Sequence, residues 1–325
     1  MKIQRRQFLQ LAAGAVALPA VSRLASAQIY PTRPVRIVVG FAPAGASDIA
    51  ARLIGQWLSD HLGQQFVVEN RPGAGSNIGT EPVVRASADG YTLLLATPSN
   101  AFNSTLYERL NFNFIRDIVP VAGISREPQV LEVNPSVPAN TLAEFIAYAK
   151  ANPSKLNFAS GFKGSPPHLA SELFKTMAGI EVQQVPYRSG GEMVTALLGG
   201  QAHAMFVSLS ASIEQVRAGK LRALAVTSSM RAEALPDVPT VNEFVRGYEA
   251  SNWFGIGAPR NTPADIIDTL NREINVALTD SKLKARLADL GGIPMTMTPA
   301  EFGKLIADET QKWGKVIRAA NIKAE

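Results

Sequence analysis

Short β-branched and leucine-rich runs alternate along this chain with longer stretches whose apolar residues recur at helical spacing. Residues 35–39 read as a buried strand. Ile49, Leu53, Ile54, Trp57 and Leu58 then line one helix face, with Gly63 as the stop. Further strands are expected at 66–68 and 93–96, followed by a proline-rich irregular stretch as far as Pro120. A second block opens near Ile124. Thr141-Leu142-Ala143-Glu144 fits a capping box and starts a helix that reaches about Lys150. Strands at 156–159, 182–185, 204–207 and 221–226 alternate with helices at 169–177, 193–198 and 213–218. Thr240-Val241-Asn242-Glu243 is a second capping box. After an extended segment at 253–258 the tail is helical, opened by Thr262-Pro263 and by Thr298-Pro299-Ala300-Glu301.

This alternation predicts an α/β protein with largely parallel sheets, with no internal repeat and no low-complexity tract. The extended segments at 124–133 and 253–258 are the candidate crossings between two lobes. They divide the chain into a discontinuous first lobe, residues 28–124 and 252–325, and a second lobe, residues 125–251. Part of the C-terminal helices is free to pack on the second lobe.

The beginning of the chain changes the picture of where the protein works. Lys2, Arg5 and Arg6 precede an apolar run from Leu9 to Ala20, and Ala25-Ser26-Ala27 ends it, so a secretory signal over residues 1–27 is expected, cleaved before Gln28. Arg5-Arg6-Gln7-Phe8-Leu9 fits a twin-arginine export signal; an ordinary signal that happens to hold two arginines is the alternative. The run is shorter than the ~20 residues of a membrane span, and no cysteine follows the cleavage site for a lipid anchor. The formal charge of +5 also shrinks: the signal holds four of the 32 basic residues and none of the 27 acidic ones, leaving 28 against 27, or +1. Nucleic-acid and membrane binding therefore draw little support from charge. Zero cysteines exclude disulfides, thiolate metal sites and cysteine nucleophiles.

The recurring chemical device is a strand that empties into a small-residue turn just before a helix. It occurs at Gly40-Phe41-Ala42-Pro43-Ala44-Gly45-Ala46-Ser47-Asp48 and at Thr97-Pro98-Ser99-Asn100. It occurs again at Ser160-Gly161-Phe162-Lys163-Gly164-Ser165-Pro166 and at Arg188-Ser189-Gly190-Gly191. In open α/β sheets ligands bind beyond the carboxyl ends of strands, and helix N-termini there accept anions. Two such turns fall in each block, so a cleft between lobes would grip a small anion from both sides. Enzyme signals are weaker. Gly73-Ala74-Gly75-Ser76-Asn77-Ile78-Gly79 misses the dinucleotide fingerprint by one residue, and there is no Gly-x-Ser-x-Gly elbow. Ser165 and His168 leave an exported hydrolase as the competing class. His61, His168 and His203 are too dispersed for a metal set. Trp57 is core, and Trp253 is either core or cleft wall.

The turns also carry a family likeness. Tyr30-Pro31-Thr32-Arg33-Pro34-Val35-Arg36-Ile37-Val38-Val39, Val68-Glu69-Asn70-Arg71-Pro72-Gly73-Ala74-Gly75 and Ala88-Asp89-Gly90-Tyr91-Thr92 come in order. Gly164-Ser165-Pro166-Pro167-His168, Val185-Pro186-Tyr187, Gly219-Lys220-Leu221-Arg222-Ala223 and Leu235-Pro236-Asp237-Val238-Pro239-Thr240 follow them. This series resembles the Bug-type periplasmic solute receptors of tripartite tricarboxylate transporters over nearly the whole chain beyond the signal. The resemblance implies a type II-like, Venus-flytrap periplasmic binding protein: two α/β lobes whose central cleft closes on a small carboxylate. It implies no enzyme activity, no cofactor and no metal. The receptor would act as a monomer that serves a two-component membrane permease or, alternatively, a signalling partner. Ligand contacts map onto Phe41, Ala44, Gly45, Ser47, Asp48, Asn77, Thr97, Ser99 and Asn100 in the first lobe. In the second they map onto Ser160, Gly164, Ser165, His168, Tyr187 and Arg188. The chain departs from the family pattern at Ala44 in the first loop and lacks the proline that often follows Tyr187. His203 and Ser208 stand where acids are usual. As cleft positions, these two would make the site less negative and favour plain or aromatic carboxylates over ligands that carry an amino group.

Overall fold

A computed structural model describes residues 30–43, 45–289 and 291–323, so the expected export signal and its cleavage site lie outside the described residues, as does Ala44. Two mixed sheets organise the rest. In the first, β1 (Val35–Val39) is parallel to β2 (Phe66–Asn70) and β3 (Thr92–Ala96). Strand β4 (Ile118–Glu127), β10 (Asn252–Pro259) and the short β11 (Ile293–Pro294) complete the order β11-β4-β10-β3-β1-β2. The second sheet holds β5 (Gln129–Val133), β6 (Asn157–Ser160), β7 (Gln183–Pro186), β8 (Ala204–Ser208) and β9 (Arg222–Val226), in the order β7-β6-β8-β5-β9.

Parallel pairing holds only where a helix intervenes between strands. β10 is antiparallel to β3 and β4, β11 to β4, and β5 to β8 and β9. The expectation of largely parallel sheets fails at these strands for a topological reason. Pro128 alone separates β4 from β5, so the chain enters the second sheet without the crossover helix that a parallel βαβ unit requires.

Alternation along the strands sorts side chains between cores. Val35, Ile37 and Val39 of β1 face Ile54 and Leu58 of α1 (Ala46–Leu62), whereas Val38 joins the cluster on the other face. That second cluster spans both sheets, with Leu131, Phe158 and Phe206 among its members. The last helix, termed α11 here (Pro299–Ala319), threads it with Phe302, Ile306, Trp313 and Ile317. Its N-terminus is a capping box: Thr298 N donates to Glu301 Oε2 at 2.8 Å, and Glu301 N to Thr298 Oγ1 at 3.2 Å. Trp253 of β10 is fully buried and meets Phe302 edge-on, which makes it core, while its neighbour Phe254 faces the cleft.

Nine other helices fill the intervals among the described residues. The stretch expected to be irregular contains α3 (Pro98–Leu106) after α2 (Asn77–Val84), and then the four-residue α4 (Phe114–Asp117). Pro98 starts α3 because a proline at the first helical position gives up no hydrogen bond. The others are α5 (Leu142–Ala151), α6 (Pro166–Ala178), α7 (Gly190–Leu198), α8 (Leu209–Arg217), α9 (Ala264–Ala277) and α10 (Ser281–Asp289). The Thr240 capping box opens only a single 3-10 turn at Val241–Glu243.

The two crossings run side by side and are pinned together. Gln129 N donates to Thr227 Oγ1 at 2.8 Å, and Gln129 Nε2 to Ala250 O at 2.9 Å. Glu249 takes Arg126 at 3.2 Å and Lys312 of α11 at 2.8 Å. Burial opposes ionisation of Glu249, but Lys312 and Arg126 outweigh it and hold its carboxyl below the usual range.

Candidate functional site

A cavity of about 580 Å³ lies between the two sheets. Five helix N-termini wall it: α1 through Gly45 and Ser47, α3 through Thr97 and Ser99, α6 through Pro166, α7 through Ser189 and Gly190, and α8 through Ser208 and Ser210. Each helix start carries unpaired N–H groups and roughly half a positive charge. No charged side chain is among the residues that line the cavity. The site can therefore hold an anion by oriented dipoles, hydroxyls and close backbone approach, with no countercharge inside it.

The first-sheet wall is braced by side-chain amides. Asn70 Nδ2 donates to Phe41 O at 3.1 Å and to Asp48 Oδ1 at 2.9 Å, and Arg52 Nε completes the brace by donating to Asp48 Oδ2 at 2.9 Å. Asn100 caps α3, its Oδ1 accepting from Thr97 N at 2.8 Å, while its Nδ2 donates to Thr80 Oγ1 at 2.8 Å. Asn103 Nδ2 reaches both Asn77 Oδ1 and Gly75 O at 2.7 Å. Asp48, Asn77 and Asn100 thus support the loop that faces the ligand and do not line the cavity. The near-fingerprint at 73–79 has a packing explanation. A Cβ on Gly40 would fall 2.0 Å from Ser76 Oγ, and one on Gly79 would fall 3.0 Å from Gly40 Cα. The glycines let this turn lie directly on the first ligand loop.

The second-sheet wall is lighter. Ser189 Oγ accepts from Glu192 N at 3.2 Å and caps α7, and Gly191 is open to the cavity. Strand β10 supplies the floor, where Asn252 Nδ2 donates to Ser208 Oγ at 2.9 Å. Beside it Glu127, opposite Asn252 in the β4–β10 ladder, accepts from Ser210 Oγ. Burial pushes the Glu127 carboxyl from an ordinary 4.5 up to about 7, against the pull of Ser210. Glu132, bonded to Ser212 of α8, is raised to about 7 for the same reason. Ser99 Oγ and Asn252 Oδ1 are buried without a partner among the described residues, the state expected of groups that a ligand or ordered water would satisfy.

Of the residues expected at the site, Phe41, Gly45, Ser47, Thr97, Ser99 and Ser208 line this cavity. Several others sit elsewhere. His203 stands just before β8, five residues from Ser208 at the cleft end of that strand. Its Nδ1 accepts from Asn157 N at 2.9 Å, so its replacement of an acid does not change the charge of the cleft. Gly164 packs on Leu106 of α3, where a Cβ would come within 2.6 Å of Leu106 Cδ1. Ser160 Oγ donates to Gly161 O at 3.1 Å, and Tyr187 N to Ser160 O at 2.8 Å. His168 Nδ1 accepts from Gly164 N at 3.3 Å, and burial holds its imidazole below the ordinary value. Ser165 Oγ is buried with no partner among the described residues, so it does not pair with His168. Arg188 lines an adjoining cavity instead. Sequence reasoning missed Asn252, Phe254 and Ser210. The signal for Ser210 was present, because Ser208-Leu209-Ser210 is a fifth strand-to-helix turn of the same kind.

Two mixed α/β sheets joined by paired crossings, with a dipole-walled cleft between them, define a two-lobed solute-binding protein. The comparisons agree. A profile of the tripartite tricarboxylate transporter family receptor, TctC, matches residues 50–322, and the chain belongs to this family of periplasmic solute-binding receptors, which are not enzymes. It is 39% identical to protein BugT of Bordetella pertussis over 95% of both chains. Among solved structures, an R. palustris protein with adipate is 38% identical, with a TM-score of 0.81 over 90% of this chain and 99% of that one. MatC from Rhodopseudomonas palustris with bound malate is 31% identical, with a TM-score of 0.77 over 89% and 100%.

Proposed function

We propose that this protein captures a small organic carboxylate in the periplasm and, as a single chain, delivers it to a two-component membrane permease of the tripartite tricarboxylate type. In this reading residues 1–27 direct export and are removed before Gln28. Residues 28–124 with 252–325 form one jaw and residues 125–251 the other. The observation that carries the reading is the convergence of five helix N-termini on a cavity lined by no charged side chain. The family and the adipate- and malate-bound relatives support a carboxylate as the anion.

Calorimetric titration of the mature protein with a panel of mono- and dicarboxylates tests it. At least one should bind with a Kd in the micromolar range or tighter, about −8 kcal/mol, and reduce the radius of gyration in small-angle scattering as the jaws close. Binding by sugars or amines with none by carboxylates would overturn the proposal.

A further inference from the structure

No charged side chain lines the cavity between the sheets, yet one ionisable group lies directly behind its wall. Glu127 ends β4 and is 2% exposed. Its Oε1 accepts from Ser210 Oγ and, at 3.4 Å, from Ser210 N in the first turn of α8. A side chain of the first sheet thus occupies a helix start that also faces the ligand cavity. Its Oε2 is buried with no partner among the described residues. A space of about 10 Å³ lies alongside, room for a single water at most. Ala46 and Phe254 line both this space and the cavity, and Leu287 and Gly292 help to complete the smaller lining.

Glu127 itself is the only charged residue facing that space. The charged groups on the surrounding elements are engaged elsewhere or exposed. Arg126, its neighbour on β4, pairs with Glu249 at 3.2 Å. On α1, Arg52 serves Asp48, which Asn70 also holds. On α10, Lys284 is exposed and Arg286 lies 3.7 Å from Asp289. Arg217 of α8 pairs with Glu214 at 3.3 Å, Arg272 of α9 with Glu273 at 3.3 Å, and Lys312 of α11 with Glu309. Strand β10 offers only the neutral Asn252. The other buried acid on α8, Glu132, is bonded to Ser212, which does not line the cavity. Burial therefore dominates at Glu127 and holds its carboxyl at about 7, against the pull of Ser210.

Ser210 couples the two sides of the wall. A serine hydroxyl has one hydrogen to give, and here Glu127 receives it. An ionised Glu127 is the stronger acceptor and keeps that hydrogen from an anion in the cavity. Its charge also opposes a second anion at the same helix start, in surroundings of low dielectric. Protonation of Oε2 removes both obstacles: the positive end of α8 serves the ligand alone, and the Ser210 hydroxyl is free to turn to it.

Resting on the proposed function, we infer that Glu127 is a proton-binding site linked to the ligand cavity, so that an anionic ligand is captured together with one proton. The proton comes from solvent and settles on Glu127 Oε2; the ligand stays ionised and no other bond changes. Affinity for carboxylates then falls as pH rises through the range in which the free protein loses this proton.

The test is calorimetric titration with adipate and malate, or with the tightest binder of the carboxylate panel should both fail, between about pH 6 and 8.5. These ligands are ionised throughout. Repeating each titration in buffers of different ionisation enthalpy counts the protons taken up. Wild type should take up a fraction of a proton that grows toward one as pH rises above about 7, and its affinity should fall by up to about ten-fold per pH unit there. Glu127→Gln keeps an acceptor for Ser210 without the charge. It should take up no proton and bind at every pH about as tightly as wild type does at pH 6. Glu132→Gln should keep the wild-type uptake. Wild-type binding with no uptake, a measurement that needs no variant, would overturn the proton site while leaving the carboxylate receptor standing. Uptake that survives Glu127→Gln, or that Glu132→Gln abolishes, would overturn it equally. If no carboxylate binds wild type at any pH, the receptor reading itself falls, and the proton site with it.

Discussion

The two walls of the cleft reach the same chemistry by different construction. On the first-sheet side, the helix starts rest on a lattice of amides and hydroxyls, with Asn70, Asn100 and Asn103 each bonding at least two partners. On the second-sheet side, α7 begins in exposed Ser189 and open glycines, and α8 is anchored through Ser210 and Ser212 to two buried carboxyls. A rigid wall opposite a lighter one suits a receptor. In the proposed function the braced wall would fix the carboxylate and the lighter wall would close on it.

The contrast is broken most severely by filling the contact under the first wall. Gly40→Val places its Cβ on Ser76 side chain and backbone, which cannot yield without moving the 73–76 turn. Overpacking of this kind costs typically ~1–3 kcal/mol and occasionally more, so the variant should fall at the top of that range and lose ligand binding. Gly191→Ala on the second wall has open space and should change stability by less than about 0.5 kcal/mol. Urea unfolding of the pair measures the asymmetry; equal losses would mean the walls are alike.

Acidity should separate the walls next. The Glu127 and Glu132 carboxyls are raised to about 7 in the folded protein, so the native state holds these protons more tightly than the unfolded chain. Their contribution is therefore fully present below about pH 4.5 and is lost as pH rises through about 7, on the order of 3 kcal/mol per group at most. His168, whose value is depressed, acts in the opposite sense, losing stability as pH falls below its ordinary range. Comparison with Glu127→Gln and Glu132→Gln isolates the carboxyls. Between pH 5 and 8 each variant should show a flatter urea-midpoint profile than wild type, and an unchanged slope would remove the acids as anchors of α8. The braces supplied by Asn70, Asn100 and Asn103 carry no proton that titrates in this window.

A smaller effect sharpens the same comparison. Asn100→Ala strips the cap of α3 and leaves Thr80 without its donor, which should cost ~1–3 kcal/mol. Ser189→Ala removes an exposed cap and should cost ~0.5–1 kcal/mol. Thermal unfolding of the two variants, ranked the other way, would contradict the division into a rigid and a light wall.

Sequence by itself determined the local elements and the local chemistry. Strand and helix positions follow from periodicity, and caps such as Thr141 and Thr298 need only neighbours three residues away, so their signals survive in the linear chain. The strand-to-helix turns were legible for the same reason, and with them Phe41, Gly45, Ser47, Thr97 and Ser99, whereas Ser208 entered only through the family resemblance. Tertiary structure alone decided which end of a strand meets the cleft. His203 and Ser208 belong to one apolar run, yet only Ser208 lies at the carboxyl end that opens on the cavity. It also decided that Asp48, Asn77 and Asn100 brace the loop from behind, because their partners at Asn70, Asn103 and Thr80 are 20 to 26 residues away in sequence. Asn252 became part of the floor, with Glu127 beside it, only when β10 paired with β4 across more than a hundred intervening residues. Burial and long-range pairing depend on what the rest of the chain places beside a residue, and no local pattern encodes that.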